Sequence, residues 1–374
     1  MKIAIMTQPL GQNYGGMMQA WALQQVLKRQ GHEVITIDRQ PDQFGFLYRT
    51  ARLGYRLAMK MLGKRKVPLN LEKDYSYILS NTKSFIANNI VMSEPIDSTV
   101  KLKAHFERER YDAVVVGSDQ TWRPKYSPNI ENFFLDFLEG IKIKRIAYAS
   151  SFGVDDWEFN REQTIRCAEL AKLFDAISVR EDSGVELCRQ YLGVDAQHVL
   201  DPTLLLNSNE YEQLIGAERL KEKNEGIFTY FLDKTPEKLA IAEQASKETG
   251  EKLFSCQAQS SVSDNHDVNL ADLVMPDPRD WLAGFANAKY VLTDSFHGMV
   301  FSIVFNKPFY VIPNESRGVS RFDSLLNLIG LNSRKIISNV DDPKLNLFSD
   351  QSFVELDEIV DFSKDFLIKC FNAN

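Results

Sequence analysis

KIAIMTQPLGQNYGGMMQAWALQQVLKRQGHEVITID, residues 2–38, decides the fold. Its opening, KIAIMTQ, is a short apolar strand. A loop from Pro9 to Gly16 follows, and then the helical pattern MMQAWALQQVLKRQ. That helix stops at Gly31, glycine being the favoured residue just past a helix end. HEVITID is the next strand. Strand, helix and strand in this order form a βαβ unit, which implies a parallel pair joined by a right-handed crossover.

Similar units continue outward from it. DAVVVGSDQ, RIAYASSF, DAISVRE and AQHVLDPTLLL read as further strands, with the helix DSGVELCRQYL after the third. Residues 206–225 are polar and helix-rich, as a linker would be. A second alternation runs through GIFTYFL, the helix of PEKLAIAEQASKETG, KLFSCQ, the helix PRDWLAGFANA and YVLTDSFHGMVFSIVFNKPFYVIP (residues 290–313). The expectation is an α/β protein with two Rossmann-like domains facing across a cleft. An N-terminal domain over 1–205 carries a helical insertion at about 43–100. A linker (206–225) leads to a C-terminal domain (226–350), and a last helix (351–374) packs back toward the first domain.

The chain's 374 residues exceed one comfortable core, which agrees with two domains. A balance of 44 basic against 51 acidic residues gives −7, which argues against nucleic acid as the main partner. The four cysteines are scattered, with no spacing that suggests zinc or a disulfide framework. The N-terminus enters a strand directly, and no apolar run reaches the roughly 20 residues of a membrane span. A cytoplasmic chain is expected, without metal or other cofactor.

Open α/β sheets bind ligands beyond the carboxyl ends of their strands. Asn13, Tyr14, Gly15 and Gly16 follow the first strand, Ser118, Asp119 and Gln120 follow DAVVV, and Arg180 follows AISV. Asp201 follows QHVL, Asp294, Ser295 and His297 follow YVL, and Arg317 and Arg321 come after PFYVIP. A helix starting near Ser295 would offer backbone N–H groups to an anion, with Arg180, Arg317, Arg321 and His297 adding charge. Plainer readings stand beside these: a tight turn at Gly15–Gly16, an N-cap at Asp119, a turn or cap at Asp201, an ion pair between Arg180 and Glu181, and a satisfied buried histidine at 297. Asp294 is read as orienting the helix start.

NYGGMMQAWALQQVLKRQGHEVITID, YDAVVVGSDQTW, RIAYASSFG, ISVREDSG, VLDPTLLL, TDSFHGMVFSIVFNKPFYVIP and SRFDSLLNLIGL occur in order along nearly the whole chain. Together they resemble the polysaccharide pyruvyl transferase family. The resemblance implies a fold like the glycosyltransferase-B architecture. It also implies transfer of pyruvate from phosphoenolpyruvate to a sugar as a ketal, with phosphoenolpyruvate a co-substrate and the acceptor a glycan, lipid-linked forms included. By the same resemblance His297 belongs to the donor site, Arg180 contacts the anion and Asp119 is the base. One departure matters. Well-studied branches carry Arg-Leu-His-Gly where this chain has Ser295-Phe296-His297-Gly298, so either Arg317 or Arg321 compensates or the donor differs. The rival is a nucleotide-sugar-dependent glycosyltransferase or epimerase of the same fold. Such enzymes often hold the ribose with a glutamate, and this chain has no acidic residue between Asp294 and Glu315.

Residues 47–66, LYRTARLGYRLAMKMLGKRK, place Arg49, Arg52, Arg56, Lys60 and Lys64 on one helical face. Tyr48, Tyr55, Leu57, Met59, Met61 and Leu62 lie mostly around the other side. Two placements fit: a domain helix with its apolar face packed inward, which is the expectation, or a helix lying on the inner membrane leaflet.

Overall fold

The computed structural model describes residues 1–42, 46–62, 71–220, 225–260, 269–312, 318–334 and 356–372. Six parallel strands, β1 (Lys2–Met6), β2 (Glu33–Ile37), β3 (Ala113–Val116), β4 (Lys144–Ser150), β5 (Ala176–Val179) and β6 (Gln197–His198), form one sheet in the order β2-β1-β3-β4-β5-β6. Met6 lies opposite both Ile37 and Val116. The strands are almost uniformly apolar because helices cover both faces of a parallel sheet. The helices of this half are α1 (Tyr14–Arg29), α2 (Phe46–Met61), α3 (Leu71–Ile78), α4 (Ser80–Asn89), α5 (Thr99–Glu109), α6 (Arg161–Ala171) and α7 (Asp182–Leu187).

A second parallel sheet has the order β10-β9-β7-β8. The chain reaches it through α8 (Ser208–Ile215) and builds it as β7 (Ile227–Tyr230), α9 (Pro236–Thr249), β8 (Leu253–Phe254), α10 (Pro278–Asn287), β9 (Tyr290–Thr293), α11 (Phe296–Val304) and β10 (Phe309–Val311). α12 (Ser320–Leu328) and α13 (Asp357–Asn372) follow. Both sheets reverse direction beside their first strand, so switch points fall between β1 and β3 and between β7 and β9.

Helix α1 is buried nearly all round, so its polar side chains need partners inside the protein. Gln19 donates to Thr7 Oγ1 at 2.7 Å and accepts from the Ser118 amide at 2.9 Å. Gln24 donates to Thr36 Oγ1 at 2.8 Å and to the Val91 carbonyl at 2.7 Å. These bonds tie the helix to β2, β3 and the segment after α4.

One apolar cluster runs through both halves of the chain. Tyr14 stacks on Trp281 with ring centroids 5.2 Å apart, and its hydroxyl donates to the Pro276 carbonyl at 2.9 Å. Burial raises the pKa of that hydroxyl. Tyr211 of α8 meets Phe301 edge-on at 5.1 Å and donates to the Thr203 carbonyl at 2.8 Å. Helix α13 lies against the first sheet: Ser363 Oγ accepts from Leu200 N at 3.0 Å, and Lys144 Nζ donates to the Cys370 carbonyl at 2.9 Å.

Two local expectations change. AQHVLDPTLLL is a strand only at Gln197–His198; Pro202 removes a ladder donor, Asp201 accepts from Thr203 N at 3.0 Å, and a 3-10 turn forms over Pro202–Leu205. Helix α2 does not turn most of its described apolar side chains inward. Leu53, Tyr55, Leu57 and Met61 are all exposed. Lys64 and its neighbours lie outside the described residues, as do Arg317 and residues 351–355.

Candidate active site

The loops beyond the two switch points converge. At the first, α1 begins at Tyr14 without a side-chain cap. Asn13 turns its amide aside instead, and Nδ2 donates to Asp119 Oδ2 at 3.3 Å. Asp119 sits at φ 66°, in the left-handed region that aspartate tolerates better than most residues. Its carbonyl accepts from Thr121 N at 2.7 Å and Ser151 N at 3.0 Å, which holds that conformation. Ser118 is fully buried behind it. The Ser118 hydroxyl lies 2.9 Å from the Ala149 carbonyl and 3.1 Å from Asp201 Oδ2, so it shapes the site from the rear.

Arg180 follows β5 and is buried. Its Nη1 donates to Asp201 Oδ2 at 2.7 Å, its Nε to Glu181 Oε1 at 3.2 Å, and its Nη2 stands 3.8 Å from Asp119 Oδ1. Burial works against the charged guanidinium, but Glu181, Asp201 and Asp119 outweigh it and hold its pKa above the ordinary value. Asp201 receives four further constraints through Thr203, Ser118 and His297. Oδ1 accepts from Thr203 N and Oγ1, the latter at 2.6 Å, and His297 Nε2 lies 3.7 Å from Oδ2. Burial alone would raise this carboxyl; His297, Arg180 and Thr203 reverse the effect and keep it well below the usual carboxylate range.

The second switch point supplies α11. Ser295 caps it, its hydroxyl accepting from Gly298 N at 3.4 Å, whereas α1 and α12 begin at this site without a side-chain cap. Asp294 does not orient the helix start. It accepts from Leu232 N at 2.6 Å, Asp233 N at 3.1 Å and Lys238 Nζ at 2.5 Å, tying the loop after β7 to β9. The Phe296 ring carries two cations: the guanidinium carbon of Arg180 lies 4.5 Å from its centroid and that of Arg321 6.0 Å. Arg321 is buried in the first turn of α12. Burial and the nearby Arg180 charge lower its pKa to about 10.

Glycines allow the two halves to touch here. A β-carbon at Gly15 would lie 2.0 Å from His297 Nδ1, and one at Gly318 would lie 2.1 Å from the Gly153 carbonyl oxygen. Tyr14, next to Gly15, borders a cavity of about 580 Å³ lined also by Gln12, Tyr75, Tyr230, Lys234 and Gln257.

Asn13, Gly15, Asp119, Arg180, His297 and Arg321 therefore come to one place, with Ser118 and Ser295 supporting it and Tyr14 at its edge. Sequence reading undervalued three partners. Asp201 looked like a turn or cap residue, which it also is; Glu181 looked like a plain ion-pair partner; Phe296 was given no role. Their common signal was adjacency to a strand end. Among the described residues, Arg180 Nη2, His297 Nε2 and Glu181 Oε2 are buried without a hydrogen-bond partner. Buried polar atoms left unpaired are costly, and a bound polar group that pairs them recovers that cost. The arrangement can hold an anion beside a carboxylate base.

A family model for polysaccharide pyruvyl transferase matches residues 13–316, most of the chain. No curated protein matches by sequence. Among solved structures, UDP-GlcNAc 2-epimerase from Neisseria meningitidis bound to UDP-GlcNAc aligns over 100% of both chains with a TM-score of 0.56 at 10% identity. The Methanocaldococcus jannaschii UDP-GlcNAc 2-epimerase gives 0.53 at 12% identity, again over 100% of both chains. Such low identity establishes the fold alone, the two-domain glycosyltransferase-B architecture. By the family match, which includes Asn13, Asp119, Arg180 and His297, the chain belongs to the polysaccharide pyruvyl transferase family.

Proposed function

We propose that this transferase moves pyruvate from phosphoenolpyruvate to a sugar of a surface or capsular polysaccharide precursor. The observation that carries the reading is the pair of buried guanidiniums, Arg180 and Arg321, sharing the ring of Phe296 beside Asp119. Two cations this close repel each other, and an anion between them would relieve that repulsion. In the reaction, a proton adds to the methylene carbon of phosphoenolpyruvate and C2 becomes electrophilic. A sugar hydroxyl bonds to C2 and gives its proton to Asp119. The C2–oxygen bond to phosphate breaks, a second hydroxyl closes the ketal, and inorganic phosphate leaves. One hydroxyl proton balances the new methyl group and the other leaves with phosphate or base; no redox change occurs.

His297 holds the phosphate or delivers the proton, and Arg180 and Arg321 hold the anionic groups. The glycan acceptor approaches through the cavity beside Tyr14, whose size suits one or two sugar units. Calorimetric titration with phosphoenolpyruvate, UDP, GDP and CMP tests the donor. Saturable binding of phosphoenolpyruvate alone, lost in His297→Ala, is the expected result. Binding of a nucleotide without phosphoenolpyruvate would replace this reading with nucleotide-sugar chemistry.

A further inference from the structure

The feature that the site leaves unused is helix α2. Between Asp42 and Glu72 the sequence holds seven basic residues, from Arg49 to Lys66, and no acidic one, in a chain of net charge −7. Helix α2 is 16 residues long, or about 24 Å at 1.5 Å per residue. Arg52, Arg56 and Lys60 recur every four residues and form one strip. Leu53, Leu57 and Met61 form the next strip around the helix, and Ala58, Leu62 and Tyr55 continue the apolar arc to the far side.

An arc of this kind normally packs against a core, and here it does not. Leu53 is 50% exposed, Tyr55 66%, Met61 78% and Leu62 67%. Contiguous exposed apolar surface beside a one-sign charged strip marks a docking face. The one-sign charge selects its partner. A helix with a wide apolar arc, a strongly basic opposite edge and low overall hydrophobicity suits the boundary between headgroups and acyl chains. A polybasic segment adds attraction to anionic headgroups there.

We infer that α2 is an interfacial anchor that lays its apolar arc into an anionic lipid surface, with Arg52, Arg56 and Lys60 at headgroup level. No helix among the described residues is long and apolar enough to cross a membrane, so the attachment is peripheral. The segment that carries α2 continues into α3, whose Tyr75 and Ile78 line the 580 Å³ cavity. The inference does not depend on the donor or the acceptor.

Flotation with phosphatidylcholine vesicles, with and without phosphatidylglycerol, tests it on the full chain. The protein should float with phosphatidylglycerol-containing vesicles only, and added salt should release it. Each basic residue contributes roughly fivefold to such partitioning, so R52Q/R56Q/K60Q should weaken it on the order of a hundredfold. Leu53→Ser with Leu57→Ser and Met61→Ser should also abolish flotation, and this variant should keep the parent melting temperature because Leu53, Leu57 and Met61 are exposed. Flotation that is absent, indifferent to phosphatidylglycerol, or unchanged in both variants overturns the inference. Self-association that the serine variant abolishes, without flotation, would assign the face to a second copy of this chain and overturn it as well.

Discussion

His297 Nδ1 lies so close over Gly15 that a β-carbon added there would fall 2.0 Å from it. The start of α1 and the start of α11 therefore meet with nothing between them, and the position of the imidazole is set by the missing side chain. Gly15→Ala must push the ring or the helix aside. Overpacking of this kind costs about 1–3 kcal/mol, and the displaced ring also loses its approach to Asp201. We expect a lower melting temperature and a loss of transfer activity larger than that stability change explains. Gly54→Ala is the control, because a β-carbon there meets nothing within 4 Å. It should stabilise the protein slightly, by up to about 1 kcal/mol. Full activity in Gly15→Ala would show that His297 does not need its present position.

Asp119 combines a conformation and a charge that two substitutions can separate. Asparagine accepts the left-handed backbone and keeps the side-chain shape. Asp119→Asn should therefore leave the unfolding midpoint nearly unchanged while kcat falls roughly 100- to 10,000-fold, the range for loss of a general base. Asp119→Val should lose both activity and stability, since a β-branched residue is strained at φ 66°. Steady-state kinetics and thermal melts on both variants decide it. Unchanged kcat in Asp119→Asn would end the assignment of this carboxylate as the base.

The fold was legible because its signals are local. Gly31 ends α1, apolar runs such as Ala113–Val116 mark buried parallel strands, and the βαβ rhythm dictates the rest. The site was legible in part because strand ends in such sheets face one way. What stayed hidden depends on distance rather than pattern. Nothing in the chain between Arg180 and Asp201 says that they bond at 2.7 Å. Nor does the sequence Ser-Phe-His say that Phe296 lies under two arginines contributed by different halves of the chain. The outward turn of α2 was equally hidden, since an amphipathic pattern is the same whether its partner is a core or a membrane.

Arg321 reaches the site from the first turn of α12, its guanidinium carbon 6.0 Å from the centroid of the Phe296 ring. Its burial and its nearness to Arg180 work against the charge, and Glu181 and Asp119 offset part of that effect. Arg321→Met keeps the volume and removes the charge, so the stability change should stay within about 1.5 kcal/mol. Loss of a charged contact to the donor should raise the KM for phosphoenolpyruvate roughly 10- to 100-fold. Donor titration by calorimetry checks this directly. Parent affinity in Arg321→Met would place the donor's anionic groups elsewhere.

Asp201 joins the halves electrostatically, bonding Arg180 at 2.7 Å and facing His297 at 3.7 Å. Its folded pKa is held below the unfolded value, which is about 3.9 for aspartate. A carboxyl shifted downward contributes stability in full above the unfolded value and loses it as pH falls toward the folded one. Between those two values the contribution should fall by about 1.4 kcal/mol per pH unit. Asp201→Asn leaves the buried Arg180 charge short of a partner, at a cost of about 3–5 kcal/mol near neutral pH. Glu181 and Asp119 remain beside Arg180, so the lower end of that range is expected. Urea unfolding of both proteins from neutral pH down through pH 4 to pH 3 separates this carboxyl from the others, which titrate alike in both. The gap between the two unfolding curves should be constant above about pH 5 and close below pH 4. A gap that stays constant to pH 3 would mean that Asp201 stabilises the protein through its hydrogen bonds to Thr203 and Ser118, with its charge contributing nothing.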